Sequence, residues 1–321
     1  MTGPNSIPAD AGPTATAPAA ASPGRTGNIY DLGYRRYEGP RLGRAHAIRS
    51  LLLESFRSAY GIGRGGRSKV APIVFGAMAL FPAIVIVGVL TLAARLGVRD
   101  QIEKASSLIS YDGYFKSISA VIALFCAAQA PELFGRDQRH GVIALYFARP
   151  LRRADYALAR LAGFALALLA LLLVPQAILL IGRVLLSTDV AGSFGEDLPK
   201  VPPIIGQALL TAGLLGSLAM AVSAFTPRRA YATAGIIAIF ILPGIVSGIV
   251  IELGSSGIGN WLVLLSQGAV LDGTNALLFG HPLPEGLFFF DLPRWSFLAS
   301  AVAITAVSIA LIVRRFSRIP T

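Results

Sequence analysis

The sequence predicts an all-α, polytopic membrane protein with six transmembrane helices, and three observations carry that prediction. Of 321 residues, 54% are hydrophobic and only 14% charged, well under the roughly 25% charged residues of soluble domains. The mean hydropathy is +0.66. Between residues 70 and 313 the chain carries six apolar stretches, five close to the roughly 20 residues needed to cross the hydrocarbon and one longer. Finally, the lysines and arginines are divided unevenly between the connections, as described below. Cys126 is the single cysteine and lies inside an apolar run, so no disulfide framework forms within one chain. The three histidines, His46, His140 and His281, make no metal-ligand spacing.

Residues 1–27 are rich in Pro, Ala, Gly and Thr and lack a charged segment followed by an apolar core. They read as a disordered tail and not as a secretory signal. Residues 28–38 (NIYDLGYRRYE) set aromatic residues among charges and read as a peripheral segment. Residues 1–40 are therefore assigned as a cytoplasmic tail. From Arg41 to Tyr60, Ala45, Ile48, Leu52, Phe56 and Ala59 share one helical face, with His46, Ser50, Glu54 and Arg57 opposite. A basic amphipathic helix before a first span lies in the interface plane. The linker GIGRGGRSK (61–69) ends that helix. It has neither the Gly-Lys-Ser/Thr nor the preceding strand of a phosphate loop.

The spans are expected at Val70–Ala93, Tyr114–Pro131, Tyr156–Leu186, Pro203–Phe225, Tyr231–Ile251 and Trp295–Val313. The third is long enough to tilt or to extend past the bilayer. Between the last two, residues 252–294 hold the apolar pieces Trp261–Leu271 and Leu287–Phe290, too short to span. They read as short re-entrant or interfacial helices on the far side.

With six spans both termini share one side, and that side carries 21 of the 28 Lys and Arg against six on the other. The excess places the termini and the Glu132–Arg153 loop in the cytoplasm. The net charge of +11 is then an orientation signal facing anionic lipid, and no nucleic acid is needed to explain it.

Few polar residues fall inside the spans. Gln129 is near the cytoplasmic end of the second, Gln176 follows Pro175 in the third, and Arg183 lies close enough to the outer surface to snorkel. Gln176 reads either as an interhelical hydrogen bond beside a proline kink or as a residue lining a translocation path. Gly163, Gly213, Gly216 and Gly235 read as close-packing positions. No span carries a proton relay or an intramembrane-protease pattern. The serines and histidines lack a nucleophile-elbow context, and no Walker A sequence occurs. The chain is not expected to be an enzyme or to bind a cofactor or metal.

The remaining stretch, ELFGRDQRHGVIALYFARPLRR from Glu132 to Arg153, is too polar for hydrocarbon and carries five arginines. Its apolar middle, Val142, Ile143, Leu145 and Tyr146, is bracketed by Gly141 and Pro150, which suit a short helix between a flexible entry and a hard stop. An acidic residue, three intervening residues, a glycine, and an apolar run ending in Arg-Pro before more basic residues resembles the first cytoplasmic loop of the ABC-2 type transporter permeases. Asp137, Gly141, Arg149, Pro150 and Arg153 match that pattern. Arg139, Val142 and Ala144 stand where an acid, a threonine and a glutamate are common. The resemblance extends to the amphipathic helix, which is similar to the family's elbow helix, and covers residues 41–321.

The resemblance implies a permease subunit, an exporter in the cell membrane, paired with a second copy or a paralogue. A separate ATP-binding subunit, holding ATP and Mg²⁺, would drive it. That subunit would sit on a coupling helix, Asp137–Phe147, within the cytoplasmic loop 132–155, with Arg139, Gly141, Val142, Leu145, Tyr146, Arg149, Pro150 and Arg153 as interface residues. A second function class is a membrane scaffold whose loop docks a partner unrelated to ATP hydrolysis.

Overall fold

The computed structural model describes residues 39, 42–99, 101–102, 109–147, 151–187, 190–252, 258–284, 287 and 292–318. The expected disordered tail and the site positions Arg149 and Pro150 fall outside the described residues, as do most of the apolar Leu287–Phe290 piece. Among the described residues every regular element is helical. That is the outcome apolar runs of this length dictate, because a helix satisfies its backbone internally where no water can.

The order is α1 Arg44–Ala59, α2 Arg67–Arg95, α3 Tyr111–Ser117, α4 Ser119–Arg139 and α5 Ile143–Phe147. There follow α6 Arg153–Leu185, α7 Val190–Asp197, α8 Val201–Phe225 and α9 Arg229–Glu252. The chain ends with α10 Ile258–Leu262, α11 Gln267–Phe279 and α12 Trp295–Ser317. Five helical runs are long and apolar enough to cross a membrane, and six if the bent pair α3–α4 counts as one. Prolines 72, 82, 131, 175 and 243 lie inside these helices, a tolerance typical of membrane helices.

Burial sorts centre from periphery within the unit formed by residues 42–321. In the Val190–Phe225 run 72% of the apolar window is buried, against 22% for α2 and 17% for Arg229–Ile249. The α8 helix is thus central, packed against α4, α6, α11 and α12, while α2 lies outside on α4 and α6, and α9 outside on α4. Phe125 of α4 stacks on Phe164 of α6, with ring planes 12° apart.

The second apolar stretch departs from the single straight span expected. It is broken at Ile118, and its two halves meet at 49°. The hydroxyl of Ser117 donates to the Tyr114 carbonyl and that of Ser119 to the Lys116 carbonyl. Such local bonds compete with the helix ladder and bend it. The region after α9 holds more helix than expected: α11 runs 13 residues and packs on α8 and α12. Ser266 caps its start by accepting from the Ala269 amide, and Gly280 ends it at φ 73°.

Three of the four glycines read as packing positions are tight. A Cβ on Gly163 would lie 2.6 Å from the Leu52 carbonyl oxygen. On Gly216 it would lie 2.9 Å from Leu168, and on Gly235 3.1 Å from Val222. At Gly213 the nearest atom, on Thr305, is an ordinary 3.7 Å away. The amphipathic α1 packs on α6 across Gly163. Its buried residues are Leu51, Ser55, Ser58 and Ala59, with Ile48, Leu52 and Phe56 half-buried and Ala45 exposed. The buried face is therefore turned by about one residue from the apolar stripe, because the close approach at Gly163 admits Ser55 rather than a large side chain.

Candidate functional site

The expected coupling helix is divided in the structure. The α4 helix continues through Asp137 to Arg139 and then closes: the Gly141 amide donates to the Gln138 carbonyl and the Val142 amide to the Asp137 carbonyl. That 5→2 and 6→1 pair is a Schellman cap, with Gly141 at φ 65° as its left-handed residue. No atom would crowd a Cβ there, so the demand for glycine is one of backbone conformation, worth about 1–2 kcal/mol against other residues. Gly141 is thus a helix stop and not a helix entry. Only the five residues Ile143–Phe147 form a helix in the loop itself.

Asp137 accordingly does not belong to an exposed docking helix. It is buried and pairs with Arg160 of α6, their side chains 8% and 5% exposed. The Tyr156 hydroxyl donates to Asp137 Oδ2 at 2.7 Å. Arg160 Nη2 also donates to the Tyr146 hydroxyl at 3.1 Å, and Nη1 to Ser55 Oγ at 3.3 Å. Its guanidinium lies over the rings of Tyr146 and Tyr156 at 5.6 and 5.8 Å, within cation–π range. One guanidinium therefore ties α1, α4, α5 and α6 together.

Further ties surround it. Arg44 of α1 makes a bidentate contact with Asp155 of α6, at 2.6 and 2.7 Å. Hydrogen bonding to that carboxylate raises the Arg44 pKa. Glu132 joins Arg64, in the α1–α2 linker, at 3.3 Å and Arg229, at the start of α9, at 2.9 Å. Burial and the neighbouring Arg136 lower the Arg64 pKa, with Glu132 opposing. The Tyr60 hydroxyl donates to the Ala167 carbonyl at 2.8 Å, and burial pushes its pKa up to about 12. Arg153 donates to the Ser317 carbonyl at 3.0 Å and lies over Phe147. Phe316 of α12 packs against Phe134 and Tyr156.

Beside this tied cluster, with Asp137 and Tyr146 in its wall, a cavity of about 1050 Å³ opens between α1 and the loop. Leu42, Leu51, Val142, Leu145 and Leu151 supply apolar surface, while His46, Glu54, Arg136 and His140 supply polar groups. Leu145 is 68% exposed. Arg139 is exposed, Val142 is half-buried, and Tyr146 is half-buried with its hydroxyl turned to Arg160. Of the expected interface residues, Leu145 and Arg139 are thus exposed, whereas Asp137 and Tyr146 are tied to Arg160 and line the cavity from the bundle side.

Two residues in the third span also find partners. Gln176 is buried and donates to the Tyr111 carbonyl at 2.9 Å, a contact between α6 and α3 beside Pro175. Arg183 does not snorkel: it is buried, donates to the Ile109 carbonyl, lies over Tyr111 and comes within 3.9 Å of Asp197.

Arg160, Tyr156 and Ser55 were not marked as site residues by the sequence. The available signal was a lone arginine four residues into the third apolar run, with an acid shortly after the end of the second. Among the described residues no three His, Cys, Asp or Glu side chains converge as metal ligands. No protein-family model matches the chain, and no curated protein matches it significantly.

Proposed function

We propose that this chain is the permease subunit of an ABC-2 type transporter, an exporter whose energy comes from a separate ATP-binding subunit. The supporting observation is the cavity of about 1050 Å³ between α1 and the 140–151 loop, with Leu145 at its edge. It offers a mixed apolar and charged surface, with the exposed Leu145 as a candidate anchor. Behind it, Tyr146 is bonded to Arg160 and Arg160 to Asp137, so a load on α5 passes into the ends of α6 and α4. In this reading the pair α3–α4 is one broken span, giving six, and the lysine and arginine excess sets both termini in the cytoplasm of a cell-membrane protein.

Two permeases, identical or paralogous, would form the path between them. ATP closure on the partner subunits would press on α5 and rock the α4–α6 ends, a rigid-body switch of the hinge or shear kind. ATP and Mg²⁺ would stay on that partner. Gln176 serves the packing of α6 on α3 in this scheme.

Purification from native membranes tests the proposal. The wild-type chain is expected to retain an ATP-binding cassette subunit. Leu145→Ala should lower that retention by on the order of 2 kcal/mol, the range of an interface hot spot. Arg139→Ala should cost about 0–1 kcal/mol, as exposed pairs do. A wild-type chain that retains no such subunit, or a Leu145→Ala variant that retains it fully, would count against the proposal. A scaffold role would then be the better account.

A further inference from the structure

The C-terminal helix carries a second patterned surface, away from the loop cavity. On α12 and its C-cap, Ile304, Val307, Leu311, Arg314, Arg315 and Arg318 follow one another at spacings of three and four with one doubled position. They therefore form one stripe, apolar along most of its length and basic at its end. The apolar part forms a groove of about 560 Å³ with Leu218, Val222 and Phe225 of α8 and Ile239 of α9. Phe225, Val307 and Leu311 are exposed there.

Beyond the groove, Phe225 and Leu311 also line a cavity of about 500 Å³ whose other walls are Arg314, Arg315 and Arg318. The two spaces share those two side chains and so run into one another. The three guanidinium groups are exposed, and none forms an ion pair with an acidic side chain among the described residues.

We infer that this continuous groove holds one anionic phospholipid, its phosphate on Arg314, Arg315 and Arg318 and an acyl chain along Leu311, Val307 and Phe225. Charge complementarity selects the occupant. Three arginines with no acidic partner ask for an anion, and guanidinium forks match phosphate oxygens bidentately. A free phosphate has nothing to place in the apolar groove, and a neutral lipid leaves the arginines unanswered. The basic end also abuts the loop, because Arg153 donates to the carbonyl of Ser317. A headgroup here would sit beside the α6 start. The inference does not depend on the transporter reading.

Native mass spectrometry of the protein in a neutral detergent tests this, with phosphatidylglycerol and phosphatidylcholine of matched chains as probes. Phosphatidylglycerol is expected to stay bound at activation energies that strip phosphatidylcholine. Arg314→Gln combined with Arg315→Gln and Arg318→Gln should lower its occupancy on the order of tenfold or more. Val307→Trp, at an exposed position that fills the groove and leaves the arginines, should lower it as well. Millimolar inorganic phosphate should not displace the lipid.

Equal retention of both lipids by the wild type overturns the inference. So does displacement by phosphate, which would make the site an anion site alone. So does a dimer that persists without phosphatidylglycerol and shields Arg315→Cys from labelling, since a second copy would then cover the face. If the triple variant fails to fold, the wild-type comparison and Val307→Trp decide the matter.

Discussion

Arg160→Ala is expected to destabilise the protein by about 3–5 kcal/mol, the cost of leaving a buried partner charge uncompensated. Asp137 would keep the Tyr156 hydroxyl but lose its only ion pair among the described residues. The same change removes hydrogen bonds to Ser55 and Tyr146, so α1 and α5 lose their common tie to α6. Replacing both charges, as Asp137→Leu with Arg160→Met, should recover most of the loss, because a buried pair is little better than apolar groups of similar volume. Thermal unfolding in detergent, followed by circular dichroism, measures both. A single-variant cost under about 1 kcal/mol is the value of an exposed pair, and it would show that water reaches this cluster.

Gly163→Leu is expected to push α1 off α6. The new side chain would meet backbone, the Leu52 carbonyl oxygen at 2.6 Å and the Phe56 nitrogen at 3.2 Å from its Cβ. Backbone cannot turn aside as a side chain can. Overpacking against side chains costs about 1–3 kcal/mol, and this clash should reach the top of that range or exceed it. Release of α1 would break the Arg160–Ser55 and Tyr60–Ala167 bonds and the Arg44–Asp155 pair. The expected signature is early proteolysis in residues 44–66 together with a lowered unfolding temperature. Gly213→Ala is the comparison, since a Cβ there meets only ordinary contacts. Equal tolerance of both changes would mean that α1 is not held at Gly163.

The long helices were legible because a membrane span is written in a single property, a run of apolar residues. Most observed ends lie close to the sequence boundaries: α6 begins at Arg153 against an expected Tyr156, and α8 at Val201 against Pro203, whereas α4 runs on to Arg139 past the expected Pro131. What escaped was set by small polar groups that hydropathy averages away. Ser117 and Ser119 bend the second stretch through bonds to their own backbone. Ser55 lies on the buried face of α1 because Gly163 leaves room for nothing larger. Gly141 was read as the opening of a helix, although the basic residues just before it are equally the mark of a C-terminal cap.

Arg160 was counted toward orientation with the other arginines, and nothing in a linear count marks one that turns inward. The α11 helix was signalled by Ser266 and Gly280, a start and stop pair that a search for apolar runs passes over.

The central claim is that an ATP-binding subunit sits over the cavity edged by Leu145. Leu145→Cys tests it directly, because the native Cys126 is fully buried and out of reach of the reagent. Native membranes carrying Leu145→Cys would be treated with a short maleimide–diazirine reagent and irradiated, so that the second end inserts into whatever lies beside the site, and the products identified by peptide mass. The account predicts a covalent adduct between this chain and an ATP-binding cassette subunit, formed in competition with small-maleimide labelling. Full labelling of Leu145→Cys by the small reagent with no such adduct, while that subunit is present in the same membranes, would contradict it.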